Sequence, residues 1–463
     1  MATVRHRDPA VKWIGAIVVI AALVPAADSA SDEDEHAARP VSGPRHVVAS
    51  NVAPGRPSMA GPHHLKQRHH AHHHDHHRRH YARFAHPNLF GTDALPISMG
   101  RSREPANGPS GGATVSGDNR KMRLVAFQSA ASNLVRGDTN GKADIFVWHR
   151  PRGPAGLYLT HLTGSLRRVS VTSDHHQGNG TSINPSLDGS IRTVPHCVAF
   201  QSRSTNVSPS DANPDWDVYV HDLRTHLTYL VSAGVPAPAT HPSIDGQCHK
   251  VVFQAAGSVW IGSAHGWWKP SRIGPGWRPR FARDGSAIVW THDGLVRMRR
   301  WGVTVTVGPG TNPHVSDQEY RLWGVVFDTR KRLLPADRDS HEDVYMRIIG
   351  RHGGSRRTIL ISKVPGGNAF NGGITVYGQN RGIVTFAIRE RRGWGLWYYN
   401  KHTGNVDDLA FARRGSLHGI ATSARANFVA FTTAERISPL DHSRYPTLYF
   451  KHLVDGQTYK HAF

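Results

Sequence analysis

Two cysteines in 463 residues exclude the dense disulfide framework that staples small secreted domains. Acidic residues are also scarce. Only 34 Asp+Glu stand against 56 Lys+Arg, a formal net charge of +22. Long apolar runs are missing outside residues 13–24, and that run is shorter than the ~20 residues a membrane-spanning helix needs. No apolar pattern of period 3.6 is sustained, so a helical bundle is excluded. The sequence holds no H-E-x-x-H, Walker loop or dinucleotide fingerprint, which removes the commonest zinc-protease and nucleotide-binding readings.

The charge is unevenly placed. Residues 1–93 carry a net +3 and residues 94–463 a net +19. An excess of this kind favours an acidic partner, either an acidic envelope protein or an anionic wall polymer. The arginines are scattered, and the densest groups are Arg297-Met298-Arg299-Arg300 and Arg389-Glu390-Arg391-Arg392. No basic arm is present, so nucleic acid is not expected.

Residues 1–29 read as a signal peptide. Arg5, Arg7 and Lys12 precede the apolar run, and Pro25-Ala26-Ala27-Asp28-Ser29-Ala30 supplies small residues for cleavage. Export follows, with the mature chain periplasmic, attached to the wall or secreted. A membrane enters only if the signal stays uncleaved. Residues 30–93 read as a disordered Pro/Ala/His-rich linker, too poor in apolar side chains to offset its ordering entropy. Eleven histidines fall within 24 residues of this linker. His69, His70, His72, His73, His74, His76 and His77 form its densest part. Imidazoles at this density are candidate ligands for zinc, nickel or copper, and equally make a spacer or a pH-dependent polycation.

A short β-branched and aromatic anchor recurs seven times from residue 94 onward. Examples are Val125-Ala126-Phe127, Val198-Ala199-Phe200, Val251-Val252-Phe253, Ile288-Val289-Trp290, Val325-Val326-Phe327, Val384-Thr385-Phe386 and Val429-Ala430-Phe431. A second strand follows each, as in Asp144-Ile145-Phe146-Val147 and Asp217-Val218-Tyr219-Val220. A third often follows that, as in Arg168-Val169-Ser170-Val171 and Tyr229-Leu230-Val231-Ser232. Units of about 40–50 residues with three or four strands predict propeller blades. The fold class expected is all-β, a single β-propeller of six or seven blades over residues 94–463, after a disordered tail. The segment 94–99 is expected to pair with strands of 429–463 and seal the ring. Residues 457–461 also read as a strand.

These units resemble the TolB-type propeller repeat of bacterial secreted proteins. The resemblance is carried by Val125-Ala126-Phe127-Gln128-Ser129, Gly137-Asp138-Thr139-Asn140-Gly141 and Asp144-Ile145-Phe146-Val147, and by their echo in Val198-Ala199-Phe200-Gln201-Ser202 and Asp217-Val218-Tyr219-Val220. It implies an exported, non-catalytic scaffold. Such propellers commonly have six blades, against seven anchors in this chain.

Three loops between the first two strands of a unit share the pattern D-x-[DN]-x-x-x-D. They hold Asp138, Asn140 and Asp144; Asp211, Asn213 and Asp217; and Asp337, Asp339 and Asp343. Alternating oxygen ligands suit calcium, although the closing glutamate of an EF-hand loop is missing. The same residues also build Asx-turns. Gly108-Pro109-Ser110-Gly111-Gly112 matches G-x-S-x-G formally, yet Asn107-Gly108-Pro109-Ser110 aligns with Asn179-Gly180-Thr181-Ser182 of the next unit. A repeated turn accounts for both, and no catalytic residue is assigned. Cys197 and Cys248 precede the anchors of consecutive units, and export permits a disulfide between them. Trp260, Trp290 and Trp397 sit on strands and belong to the core, whereas Trp267, Trp268 and Trp277 are loop candidates for stacking on a sugar. The function expected is a non-catalytic binding or scaffold propeller of the cell envelope. The alternatives are a propeller hydrolase or lyase acting on extracellular glycan or peptide, and a metal-binding protein using its His tract.

Overall fold

The computed structural model describes residues 94–452, apart from 119–122, 151–163, 191–192, 212, 319, 365, 375–381, 414–416, 424–427 and 439. The signal peptide expected at 1–29, the linker expected at 30–93 with its His tract, and the strand expected at 457–461 lie outside the described residues.

Seven four-stranded antiparallel sheets follow one another along the chain, so the blade number is seven. No helix is assigned among the described residues, and none there is long and apolar enough to cross a membrane. Each blade contains an inner strand, then the anchor strand, then two more moving outward. Blade 2 is typical, with strands Ser182–Leu187, Cys197–Ser202, Asp217–Asp222 and Thr228–Leu230. Tight hairpins join them where the chain can turn left-handed. Asp293 and Gly294 have φ of 50° and 68° between two strands of blade 4, the two-residue turn that matches strand twist.

The anchors explain the ring. Val125 and Phe127 pack in one cluster with Phe428, Ala430 and Phe450 of blade 7, while Leu124 and Ala126 pack in another with Val198 and Phe200 of blade 2. In blade 2, Val198 and Phe200 face back to blade 1 and Ala199 faces forward to blade 3. The same assignment repeats through Val325 and Phe327 against blade 4 and Val326 toward blade 6. Because strand side chains alternate, Val and Phe point to the preceding blade and the small middle residue to the next. Both faces are buried, so the anchors read as unbroken apolar runs rather than alternating ones. Each fully buried Phe contributes roughly 1.5–3 kcal/mol.

The ring is sealed by the N-terminal strand Ala94–Pro96, which pairs with Thr447–His452, with Leu95 opposite Phe450. Ile97 N adds a bond to the Leu448 carbonyl at 3.0 Å. Blade 7 therefore takes three strands from the end of the described chain and one from its beginning.

The inner strands are what the sequence conceals. Ser186-Leu187 and Ser243-Ile244 look like turn residues but close the inner strands Ser182–Leu187 and Ala239–Ile244. These strands face an axial channel, carry short polar side chains and contain proline, so they lack the usual strand composition.

Candidate functional site

A cavity of about 550 Å³ runs along the axis, lined by the inner strands of all seven blades. Its wall is shaped by a bulge in each strand. The register skips between Ile183 and Ser186, Thr240 and Ser243, Trp277 and Arg280, and Thr311 and His314. The bulged residues Asn184, His241, Arg278 and Asn312 have φ of 54°, 54°, 53° and 49°. A proline follows each, and its missing N–H loses no ladder bond at a bulge. Gly112 and Gly419 hold the equivalent place with φ of 60° and 59°.

The next contact locks one blade to another. Gln128 Oε1 accepts from Asn184 N at 2.8 Å, Gln201 Oε1 from His241 N at 2.8 Å, and Gln254 Oε1 from Arg278 N at 2.9 Å. The Gln that follows Val-x-Phe is thus a latch to the next inner strand. In blade 5, Asp328 replaces it and accepts from Asn371 N at 3.0 Å. Asp328 also accepts from the side-chain amides of Asn371 (2.6 Å) and Asn312 (2.9 Å). Burial nevertheless pushes its carboxyl up to about 7.

One end of the channel is filled. Arg283 of blade 4 donates from Nη1 to the Val115 carbonyl of blade 1 at 3.0 Å. Gly246 N donates to the Arg283 carbonyl at 2.7 Å, and Gly189 N to the Gly246 carbonyl at 3.2 Å. A Cβ on Gly117 would stand 2.2 Å from the Gly189 carbonyl oxygen. Asp317, raised to about 6 chiefly by burial, lies in the field of Arg283 and accepts from Asp284 N.

The rest of the wall is basic. Arg280 and His314 line the cavity with His241 and His418. Burial and then the charges of Arg278 and Arg280 hold His241 below the usual histidine range. Burial and Arg280 drive His314 down to about 3, and its Nδ1 has no hydrogen-bond partner among the described residues. At neutral pH the positive charge therefore belongs to arginine, and His314 offers a neutral ring. Asp317, the carboxylate of the lining, and Asp328, which bonds the lining residues Asn312 and Asn371, are already held within the protein. This constellation can hold an anionic group. The sequence reading missed it, although the repeated dipeptides Asn184-Pro185, His241-Pro242, Arg278-Pro279 and Asn312-Pro313 were a usable signal.

The acidic loops lie elsewhere and are held by a repeating set of bonds. Ser170, Ser232 and Ser362 donate from Oγ to Asp144, Asp217 and Asp343, each at 2.5 Å. These serines lie just past the outer strands, which end at Arg168, Leu230 and Leu360. Tyr219 donates to Asp211 and Tyr345 donates to Asp337. Tyr449 donates to Asp441 in the same way, so Asp441 keeps the bond although the full motif is absent. Blade 1 has Phe146 in place of this tyrosine. There Gln177 Nε2 reaches Asp138 and Asp144 at 2.9 Å, and Arg168 Nη1 lies 3.6 and 3.8 Å from the same pair. Asn140 and Asn213 turn their amide donors toward Asp144 and Asp217. In blade 5, Asp337, Asp339 and Asp343 offer oxygens within 4.8 Å of one another, a group able to hold a metal ion.

Ser110 lies buried on strand Ser110–Val115 with its hydroxyl 2.9 Å from that of Ser129. Ser182 repeats this with Ser202 at 2.9 Å, and Asn107 and Asn179 make matching bonds to Asn133 and Asn206. The G-x-S-x-G match is the repeat turn. Trp290 and Trp397 are buried and Trp260 half-buried, whereas Trp267 is 71% exposed. Trp267 stacks on His265 at 4.9 Å. Cys197 and Cys248 form a disulfide between blades 2 and 3, with Cα atoms 5.8 Å apart.

No family model matches the chain, and no curated protein matches it. Among solved structures it is similar to the β-propeller domain of the trilobed protease from Pyrococcus furiosus, at 13% identity and a TM-score of 0.43 over 74% of this chain and 98% of that one. It is similar to an oligogalacturonate lyase from Vibrio parahaemolyticus, at 8% identity and a TM-score of 0.44 over 79% and 99%. It is also similar to TolB from Acinetobacter baumannii, at 12% identity and a TM-score of 0.33 over 58% and 64%. What this β-propeller does is read from its own side chains.

Proposed function

We propose that the chain is an exported, non-catalytic binding propeller of the cell envelope, which takes an acidic segment of a protein or wall polymer into its axial channel. The observation that carries this is the channel wall. Arg280 lines it, with Arg278 two residues earlier on the same strand, while the lining carboxylate Asp317 and its neighbour Asp328 are bonded within the protein. Low-dielectric walls of one sign concentrate ligands of the other. The net +19 of residues 94–463 acts in the same direction. Calcium in the loop of blade 5 and zinc, nickel or copper on the His tract fit this reading as accessory cations.

The test is fluorescence anisotropy of the full chain with a labelled polyglutamate peptide and with a labelled oligouronate. The expected result is binding that weakens with salt and is at least tenfold weaker in the Arg278→Ser, Arg280→Ser double variant at unchanged melting temperature. Equal binding by the double variant would remove the channel from the reading.

A further inference from the structure

The disulfide of blades 2 and 3 has a carboxylate and an imidazole packed beside it. Asp188 and Cys197 are fully buried at their side chains, as is Cys248. His196 is 25% exposed at its side chain and opens the cluster to solvent. Asp188, His196, Cys197 and Cys248 each offer one ligand atom, and these atoms all lie within 4.8 Å of one another.

Asp188 is fixed by the same turn bonds that Asp245 makes in the next blade, where His249 N and Lys250 N donate to Asp245 Oδ1. Asp188 Oδ1 accepts from His196 N at 2.8 Å and from Cys197 N at 2.9 Å. Its Oδ2 has no hydrogen-bond partner among the described residues, yet lies 3.3 Å from His196 Nδ1, which also stands 3.2 Å from the Val194 carbonyl and would exchange that contact for a metal. One oxygen therefore orients the carboxylate, and the buried other one faces His196 within the cluster. Outer bonds of this kind position metal-binding carboxylates. Bond lengths of about 2.0–2.3 Å to zinc place tetrahedral ligand atoms about 3.3–3.8 Å apart. The Asp188–His196 spacing already meets that range. The two sulfurs reach it once they are no longer bonded to each other. On the far side, His265 Nε2 stands 3.7 Å from Cys248 Sγ and 3.4 Å from Asp222 Oδ2. It supplies a polar neighbour for the thiolate.

We infer that the reduced form of this cluster is a zinc site, with Asp188, His196, Cys197 and Cys248 as its four ligands, so that disulfide and zinc are alternative occupants of one place. A dithiol donates two electrons and two protons to the S–S bond, giving two thiols while the dithiol becomes a disulfide. Zinc then displaces both thiol protons to solvent and is held by two thiolates, one imidazole nitrogen and one carboxylate oxygen. Sulfur, nitrogen and oxygen donors in tetrahedral array select zinc over calcium or magnesium.

The histidine tract of the full chain is itself a candidate metal binder, so stoichiometry alone does not read this site. Cobalt(II) does, because thiolate-to-cobalt charge transfer gives a near-ultraviolet absorption that histidine ligands lack. The full chain is titrated anaerobically with cobalt before and after reduction by excess dithiothreitol and its removal, and zinc is then added. The expected result is charge-transfer absorption only in the reduced protein, one equivalent at saturation, abolished by added zinc. The Asp188→Asn variant keeps an oxygen acceptor for the two backbone N–H groups. It and His196→Ala are expected to weaken cobalt binding at least tenfold. Absence of the absorption in the reduced wild type overturns the inference, as does an unchanged affinity in both variants.

Discussion

Gln201 Oε1 accepts the backbone N–H of His241 at 2.8 Å across the boundary between blades 2 and 3, and at the same distance the side-chain amide of Asn184. The acceptor is 3% exposed. Gln201→Met keeps most of the volume and strands both donors, each costing about 1–3 kcal/mol if left unsatisfied. Urea denaturation is expected to show a loss of about 2 kcal/mol. A loss below about 0.5 kcal/mol would show that the blades do not depend on this latch.

Gly117 meets the Gly189 carbonyl and the Arg283 guanidinium at the filled end of the channel. A methyl group there presses on backbone, which cannot swing aside as a flexible side chain does. Gly117→Ala is expected to destabilise by about 1–3 kcal/mol. Gly137→Ala serves as the control for a left-handed glycine in open space, since nothing lies within 4 Å of its added Cβ. A smaller effect at 117 than at 137 would show that the end is not closely packed.

Asp328 and His314 give opposite pH dependences. Asp328 rises from 3.8 to about 7 on folding. The folded chain then holds a proton the unfolded chain has released, so stability falls as pH rises from about 4 to 7. His314 drops from 6.5 to about 3, so the unfolded chain binds the extra proton and stability falls as pH drops from 6.5 toward 3. Melting temperature is measured against pH for Asp328→Asn and His314→Asn. The first is expected to reduce the loss between pH 4 and 7, to which Asp317 also contributes, and the second to reduce the loss between pH 6.5 and 3. Unaltered profiles in both variants would contradict the assignment.

The disulfide closes a loop with a sequence separation of 51. In the chain-entropy model such a link stabilises by about 4 kcal/mol. The Cys197→Ala, Cys248→Ala double variant is expected to lose about that amount in guanidinium unfolding, with the far-ultraviolet spectrum of a β protein retained at 25 °C. No change in midpoint would mean that the loop is already constrained in the unfolded chain.

Seven blades were legible because both faces of every anchor are buried. Val125 and Phe127 must fill one interface and Ala126 the other, and that demand writes a β-branched and aromatic anchor into each unit. The blade count stayed open at six or seven only because the resembled family commonly has six. The Asp loops were legible as a pattern but not as a structure. Their partners Ser170, Ser232 and Tyr345 lie one or two strands away, and spacing alone carries no sign of such bonds. The channel was missed for a different reason. Its strands are half-solvated and bulged, so Asn184 or His241 followed by proline looks like loop chemistry until the ring brings such residues to one axis.

The seal of blade 7 sets a time order for folding. Blades 2 to 6 are runs of consecutive hairpins and can form as soon as their own residues are available. Leu95 must wait for Phe450, its partner in register. Contacts of such separation are the slow ones, because loop closure is completed before they yield any gain. Until then the outer edge of Thr447–His452 is a strand without its neighbour, open to pairing with another chain. A propeller trimmed past Pro96 keeps seven anchors and every channel residue, yet it presents that edge permanently, a row of unpaired N–H and C=O groups on which another chain can pair.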